Sequence, residues 1–149
     1  MKSATLTFKT TIRASQQIVF NYVSDWEKQS DWIMFTDVKI LTNPTTQKDV
    51  SLLAVTKIGP IKLVDTMVVT DWQPFERIVV EHTGRIILGK GVFTVRKISD
   101  YSCEFQWQEV TPVPFGLIGR IGLAVFKPLI ELPFRISLHR LKSNIESRQ

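Results

Sequence analysis

The sequence predicts an α+β domain in which a seven-stranded antiparallel sheet grips a long C-terminal helix, with two short helices between the first and second strands. Three observations carry this prediction. From Asp37 to Val110 the apolar residues recur with period two and are interrupted by turn residues, the mark of consecutive short strands. Near the C-terminus, Phe134, Leu138, Leu141 and Ile145 follow one another at spacings of four, three and four, so they fall on one helical face. Between residues 15 and 32 the alternation breaks into two short helix-like pieces. A helix with one apolar stripe, following a run of strands, must bury that stripe against their sheet.

The first strand spans Thr5 to Arg13, with Leu6, Phe8, Thr10 and Ile12 on one side and Thr5, Thr7, Lys9, Thr11 and Arg13 on the other. Ser15 is placed to cap a helix running to about Ser24, with Ile18, Val19, Tyr22 and Val23 as its buried face. Asp25 is placed to cap a second, from Trp26 to about Trp32. Strand Asp37–Leu41 leads into the loop Asn43-Pro44-Thr45-Thr46. Strands Ser51–Ile58 and Ile61–Asp71 form a hairpin about Gly59-Pro60, and Gln73-Pro74-Phe75-Glu76 turns the chain into strand Arg77–Thr83. Gly84 and Gly89 bracket the next turn, before strands Gly91–Ile98 and Cys103–Val110. In the last strand Cys103, Phe105 and Trp107 face one way and Glu104, Gln106 and Gln108 the other, as in a sheet with one covered face. The terminal helix runs from Phe115 and divides at Pro128–Pro133: an apolar, glycine-rich first half suited to a lid, then a narrowly striped second half.

At 149 residues, with 44% hydrophobic and 22% charged residues, the chain fits one globular domain, 1–149, with a core that needs no staples. The lone Cys103 forms no internal disulfide and offers no metal or redox pair. The opening residues alternate rather than forming an apolar block, so a cytoplasmic location is expected. The apolar stretch Phe115–Phe134 carries Arg120, Lys127, Glu131 and two prolines, against a membrane span. The net charge is +5, and from Phe115 onward six basic residues stand against two acidic ones. That basic end leaves open a peripheral contact with an anionic membrane. Nucleic-acid binding is disfavoured, because Phe105 and Trp107 alternate with Gln and Glu on the face the helix should cover.

The element order resembles the START-like helix-grip (SRPBCC) superfamily, and within it the polyketide cyclase/dehydrase and lipid-transport family. The resemblance rests on Thr7-Phe8-Lys9-Thr10-Thr11-Ile12 followed by Ala14-Ser15 and Val19-Phe20, and on Asp25 followed seven residues later by Trp32. It also rests on Val69-Thr70-Asp71-Trp72-Gln73-Pro74 with Arg77-Ile78, and on Pro112 to Leu141 as the long helix. It covers essentially the whole chain and implies an elongated cavity between sheet and helix. Pattern alone reads Tyr22, Trp32, Phe35, Met67, Phe93, Phe105, Trp107, Ile121, Val125 and Leu129 as core. The resemblance makes them, with His82, expected cavity lining.

Catalytic signatures are sparse. His82 alternates with Ile78 and Val80 and so points inward, whereas His139 lies off the helical stripe. Asp65 interrupts the apolar series Ile61, Leu63, Met67, Val69, as a polar anchor in a cavity or equally as an edge charge or strand bulge. His82, Asp65 and Glu109 are the candidates for acid–base work. No metal-ligand spacing and no phosphate-binding loop occurs, and no cofactor is expected. The expected function is binding or transport of a hydrophobic small molecule: a lipid, quinone, isoprenoid or polyketide-like compound. Two alternatives stay open, a polyketide cyclase/aromatase-type enzyme using the same cavity, and a basic interaction module for membrane or ribosome.

Overall fold

The structure, a computed structural model, describes residues 3–43, 47–113 and 116–149. Strand β1 (Ser3–Ile12) is followed by helix α1 (Gln16–Val23), a 3₁₀ turn (Trp26–Asp31) and β2 (Thr36–Ile40). Strands β3 (Ser51–Ile58), β4 (Ile61–Gln73), β5 (Arg77–His82), β6 (Lys90–Ser99) and β7 (Ser102–Pro112) follow, and helix α2 (Gly116–Glu146) closes the chain. All seven strands form one antiparallel sheet in the order β1-β7-β6-β5-β4-β3-β2. Consecutive strands pair as hairpins from β2 to β7, and β1 adds to the β7 edge.

The local chemistry explains the boundaries. Ser15 caps α1, its Oγ accepting from the Ile18 N–H at 3.2 Å. The buried face of α1 is Val19, Phe20 and Val23; Ile18, expected inside, is 43% exposed, because Phe20 takes the inner position against Trp72. Asp25 makes no side-chain cap, its carboxylate lying instead 3.9 Å from Lys28 Nζ, and the segment it opens is 3₁₀ rather than α. The loop residues Pro44, Thr45 and Thr46, and the first residue of the expected helix, Phe115, lie outside the described residues.

The second half of α2 is seated as its stripe predicts. Leu138, Leu141 and Ile145 are buried. Phe134 stacks on Phe8 of β1 with ring centroids 4.7 Å apart and meets Trp107 edge-on at the same distance. Ser137 Oγ donates to the Pro133 carbonyl at 2.7 Å and accepts from the Met34 N–H at 2.9 Å, tying the helix to the wedge. The expected division at Pro128–Pro133 does not break the helix: both prolines sit inside one 31-residue α-helix. The first half of α2 leaves the sheet, and Leu117, Ile118, Val125 and Leu129 are each about two-thirds or more exposed. Arg120 and Lys127 are exposed beside them. Among the described residues no helix is long and apolar enough to cross a membrane.

This split gives a direct test by urea denaturation. Leu141→Ala, at a fully buried position, should cost about 2–5 kcal/mol. Leu117→Ala, on the projecting half, should change stability by less than about 0.5 kcal/mol. Equal losses would contradict the half-seated helix.

Candidate ligand-binding site

Because α2 covers only part of the sheet, a cavity of about 600 Å³ remains beneath its middle. The floor is the inner face of the sheet, where every second residue points inward: Met67 of β4, Val80 of β5, Phe93 of β6 and Trp107 of β7. Ile33 and Met34, after the 3₁₀ turn, form one wall, and Leu129, Ile130, Pro133 and Phe134 of α2 form the roof. Ile58 and Leu88, each nearly half exposed, stand at the rim.

One end of this apolar space is charged. Asp65, His82 and Glu109 come from β4, β5 and β7, and all three line the cavity. His82 Nδ1 lies 2.7 Å from Asp65 Oδ2, and its Nε2 lies 3.3 Å from Glu109 Oε2. The Trp107 indole N–H donates to Glu109 Oε1 at 2.7 Å. The side chains of His82 and Asp65 are 7% and 8% exposed, and that of Glu109 is 22% exposed.

Strand register creates this cluster. Met67 faces His82 across β4 and β5, so Asp65 lies two residues along the same face. The His82 N–H donates to the Gly89 carbonyl at 2.9 Å and holds the strand end in place. Between β5 and β7, the β6 position opposite Glu109 is Gly91. A Cβ there would stand 3.1 Å from Glu109 Oε1 and 3.3 Å from Val80 Cγ2. Gly91 thus leaves the gap through which the histidine and glutamate meet. Gly89, at φ +98°, is required separately, since a Cβ would collide with the Val110 carbonyl oxygen.

Burial alone would lower the His82 pKa. Its hydrogen bonds to Asp65 and Glu109, with their negative charges, outweigh burial and push it up to about 9. His82 is therefore an imidazolium at neutral pH, donating from both ring nitrogens. Cys103 is inert by comparison, its thiol pushed up to about 11 by burial. Among the described residues no group of His, Cys, Asp and Glu side chains is arranged to hold a metal ion.

The expected lining residues divide into two sets. Met67, His82, Phe93, Trp107 and Leu129 line the cavity. Trp32 and Phe105 do not: both are fully buried, packed edge-to-face with each other and against Phe93 behind the cavity wall. Tyr22 turns toward the end of α2, with its hydroxyl 3.3 Å from Asn144 Nδ2 and Arg148 over its ring. Phe35, at φ 61°, is half exposed, and Ile121 and Val125 lie on the projecting part of α2. Gln29, Thr36, Gly91 and Ser137 line the cavity without having been singled out in the sequence. The only signal for Gly91 was a residue without a side chain at an inward strand position, and for Ser137 a polar residue beside the helical stripe.

Charging His82 on folding stabilises the protein. That contribution is complete below about pH 6.5 and fades as pH rises through about 9. Stability measured by urea titration should fall by about 1–3 kcal/mol across this window. In His82→Gln, which cannot charge, the pH-dependent part should be absent. An unchanged slope in the variant would contradict the assignment.

No protein-family model matches the sequence, and no curated protein sequence matches it either. Solved structures do match in shape. The Zhui aromatase/cyclase from Streptomyces sp. R1128 superposes with a TM-score of 0.81 at 12% identity, covering 99% of this chain and 96% of that one. The di-domain ARO/CYC BexL from the BE-7585A biosynthetic pathway gives 0.74 at 15% identity, covering 97% of this chain and 50% of that one. A START superfamily protein from Mycobacterium smegmatis gives 0.65 at 16% identity, covering 90% and 97%. The chain has the START-like helix-grip fold that these proteins share.

Proposed function

We propose that the protein binds an apolar small molecule between the inner face of its sheet and the middle of α2. The observation that carries this reading is the cavity of about 600 Å³ with predominantly apolar walls, left where α2 departs from the sheet. Pockets of roughly 300–1,000 Å³, apolar with a few convergent polar groups, are the usual form of small-molecule sites. Burying ~200–300 Å² of ligand apolar surface at ~25 cal/mol per Å² offers ~5–8 kcal/mol before ordering costs. Affinity near the micromolar range follows without a charged contact. The likeness in shape to a START superfamily protein fits a carrier or sensor.

A second reading, an acid–base enzyme acting on a molecule in the same cavity, draws on one observation: Asp65, His82 and Glu109 meet at the cavity wall. The shape-matched aromatase/cyclases make a cyclisation reaction the natural class to try. With its pKa at about 9, His82 would enter such chemistry as a proton donor. Because its proton is shared with two carboxylates and not with an open cavity atom, the binding reading stands first.

Titration with the neutral apolar fluorophore diphenylhexatriene separates a receptive cavity from a collapsed one. The wild type should bind it with a Kd on the order of micromolar. Val80→Trp, which fills the floor, should weaken binding at least about tenfold while the protein stays folded. Binding unaffected by Val80→Trp would place the fluorophore elsewhere and overturn the reading.

A further inference from the structure

Among the described residues, the polar end of the cavity has acceptors to offer a ligand and no uncommitted side-chain N–H donors. Both His82 N–H groups are committed, to Asp65 and to Glu109, and the Trp107 N–H is committed to Glu109. Away from this end, the Gln29 amide gives one N–H to the Val23 carbonyl at 2.9 Å, and the hydroxyls lining the cavity are engaged as well. Ser137 donates to the Pro133 carbonyl, Thr111 to the Pro112 carbonyl at 3.4 Å, and Thr36 to the Met34 carbonyl at 2.9 Å. Thr56 pairs with the Thr36 hydroxyl at 2.9 Å. The Trp26 indole N–H lacks a partner, but it is sealed within the protein and presents no surface to a ligand.

The acceptor side is different. Among the described residues Asp65 Oδ1 has no partner, and it is likewise sealed from the cavity. Glu109 is the most exposed member of the cluster, with a side chain 22% exposed, and among the described residues each of its oxygens takes one donor. A carboxylate oxygen has a second lone pair to give. Two carboxylates around one imidazolium also leave this end with a formal charge of −1. An incoming carboxylate would find no donor here and would meet a like charge in a low-dielectric space.

We infer that Glu109 is the head-group acceptor of the cavity, and that its ligand is an apolar molecule bearing a hydroxyl or another hydrogen-bond donor, not a fatty-acid-like carboxylate. This rests on the binding reading above and sharpens it from an apolar ligand to one with a donor at the end that meets the charged cluster. Molecules that differ only by methylation of that hydroxyl are discriminated, because the methyl ether cannot donate and strands the Glu109 lone pair.

Three pyrene probes of nearly equal apolar area test this at neutral pH: 1-hydroxypyrene, 1-methoxypyrene and 1-pyrenecarboxylate, each titrated by its own fluorescence. The hydroxyl probe should bind the wild type at least about tenfold more tightly than either of the others, the scale of one hydrogen bond to a charged group. Glu109→Gln places an amide N–H where an acceptor stood, and should shrink the preference to within about threefold. Three probes binding wild type within threefold of one another, or the carboxylate binding best, would overturn the head-group assignment while leaving the cavity intact. Failure of all three to bind would overturn both. The wild-type comparison decides the question even if Glu109→Gln does not fold.

Discussion

An imidazolium pinned between two carboxylates is the interaction on which the polar end of the cavity depends. Asp65, His82 and Glu109 stand on three strands, with Gly91 making room on the fourth between them. Placing any one of these charges alone beside an apolar cavity would be expensive, and removing one partner would leave the others uncompensated. Together, with the Trp107 indole as a further donor, they are mutually satisfied apart from one buried oxygen of Asp65. The cluster sets the character of that end: a charged terminus, its N–H donors committed and acceptor capacity left on Glu109, in an otherwise greasy space.

The cavity owes its existence to a second constraint, the partial seating of α2. The stripe ending in Leu138, Leu141 and Ile145 closes the sheet at the β1 side, aided by the Phe8–Phe134–Trp107 stack. Upstream of Phe134 the helix continues unbroken but its apolar side chains at Leu117, Ile118 and Val125 are exposed and do not fill the interior. A helix that followed the sheet along its whole length would bury those residues and erase the space. Packing at one end and departure at the other are therefore both part of how the fold makes a site.

Much of this was legible in the sequence, because the strongest signals were periodic. Period-two alternation located all the strands to within a few residues, and the stripe at 134, 138, 141 and 145 identified the seated half of α2. Alternation also marked His82 as inward-facing, whereas Asp65 within an apolar series read equally well as a cavity anchor, an edge charge or a bulge. What it could not supply was their meeting with Glu109. That depends on pairing register across four strands, with Met67 opposite His82 and Gly91 opposite Glu109, which no single strand encodes. Among the aromatics, sequence could not separate lining from core. Trp32 and Phe105 look as suitable as Phe93 and Trp107, yet the first pair is sealed behind the second. The division expected at Pro128 and Pro133 is one of role and not of backbone: each proline lacks an N–H, but both sit inside one continuous helix.

The most direct measurement of the central claim is the protonation of His82 by ¹⁵N NMR of the imidazole ring at about pH 7.5, above the pKa of an ordinary histidine. With both nitrogens donating to carboxylates, the ring should carry two protons there and lose one only as pH rises through about 9. A neutral ring with a single proton at that pH would free a nitrogen toward the cavity and contradict the account of its polar end.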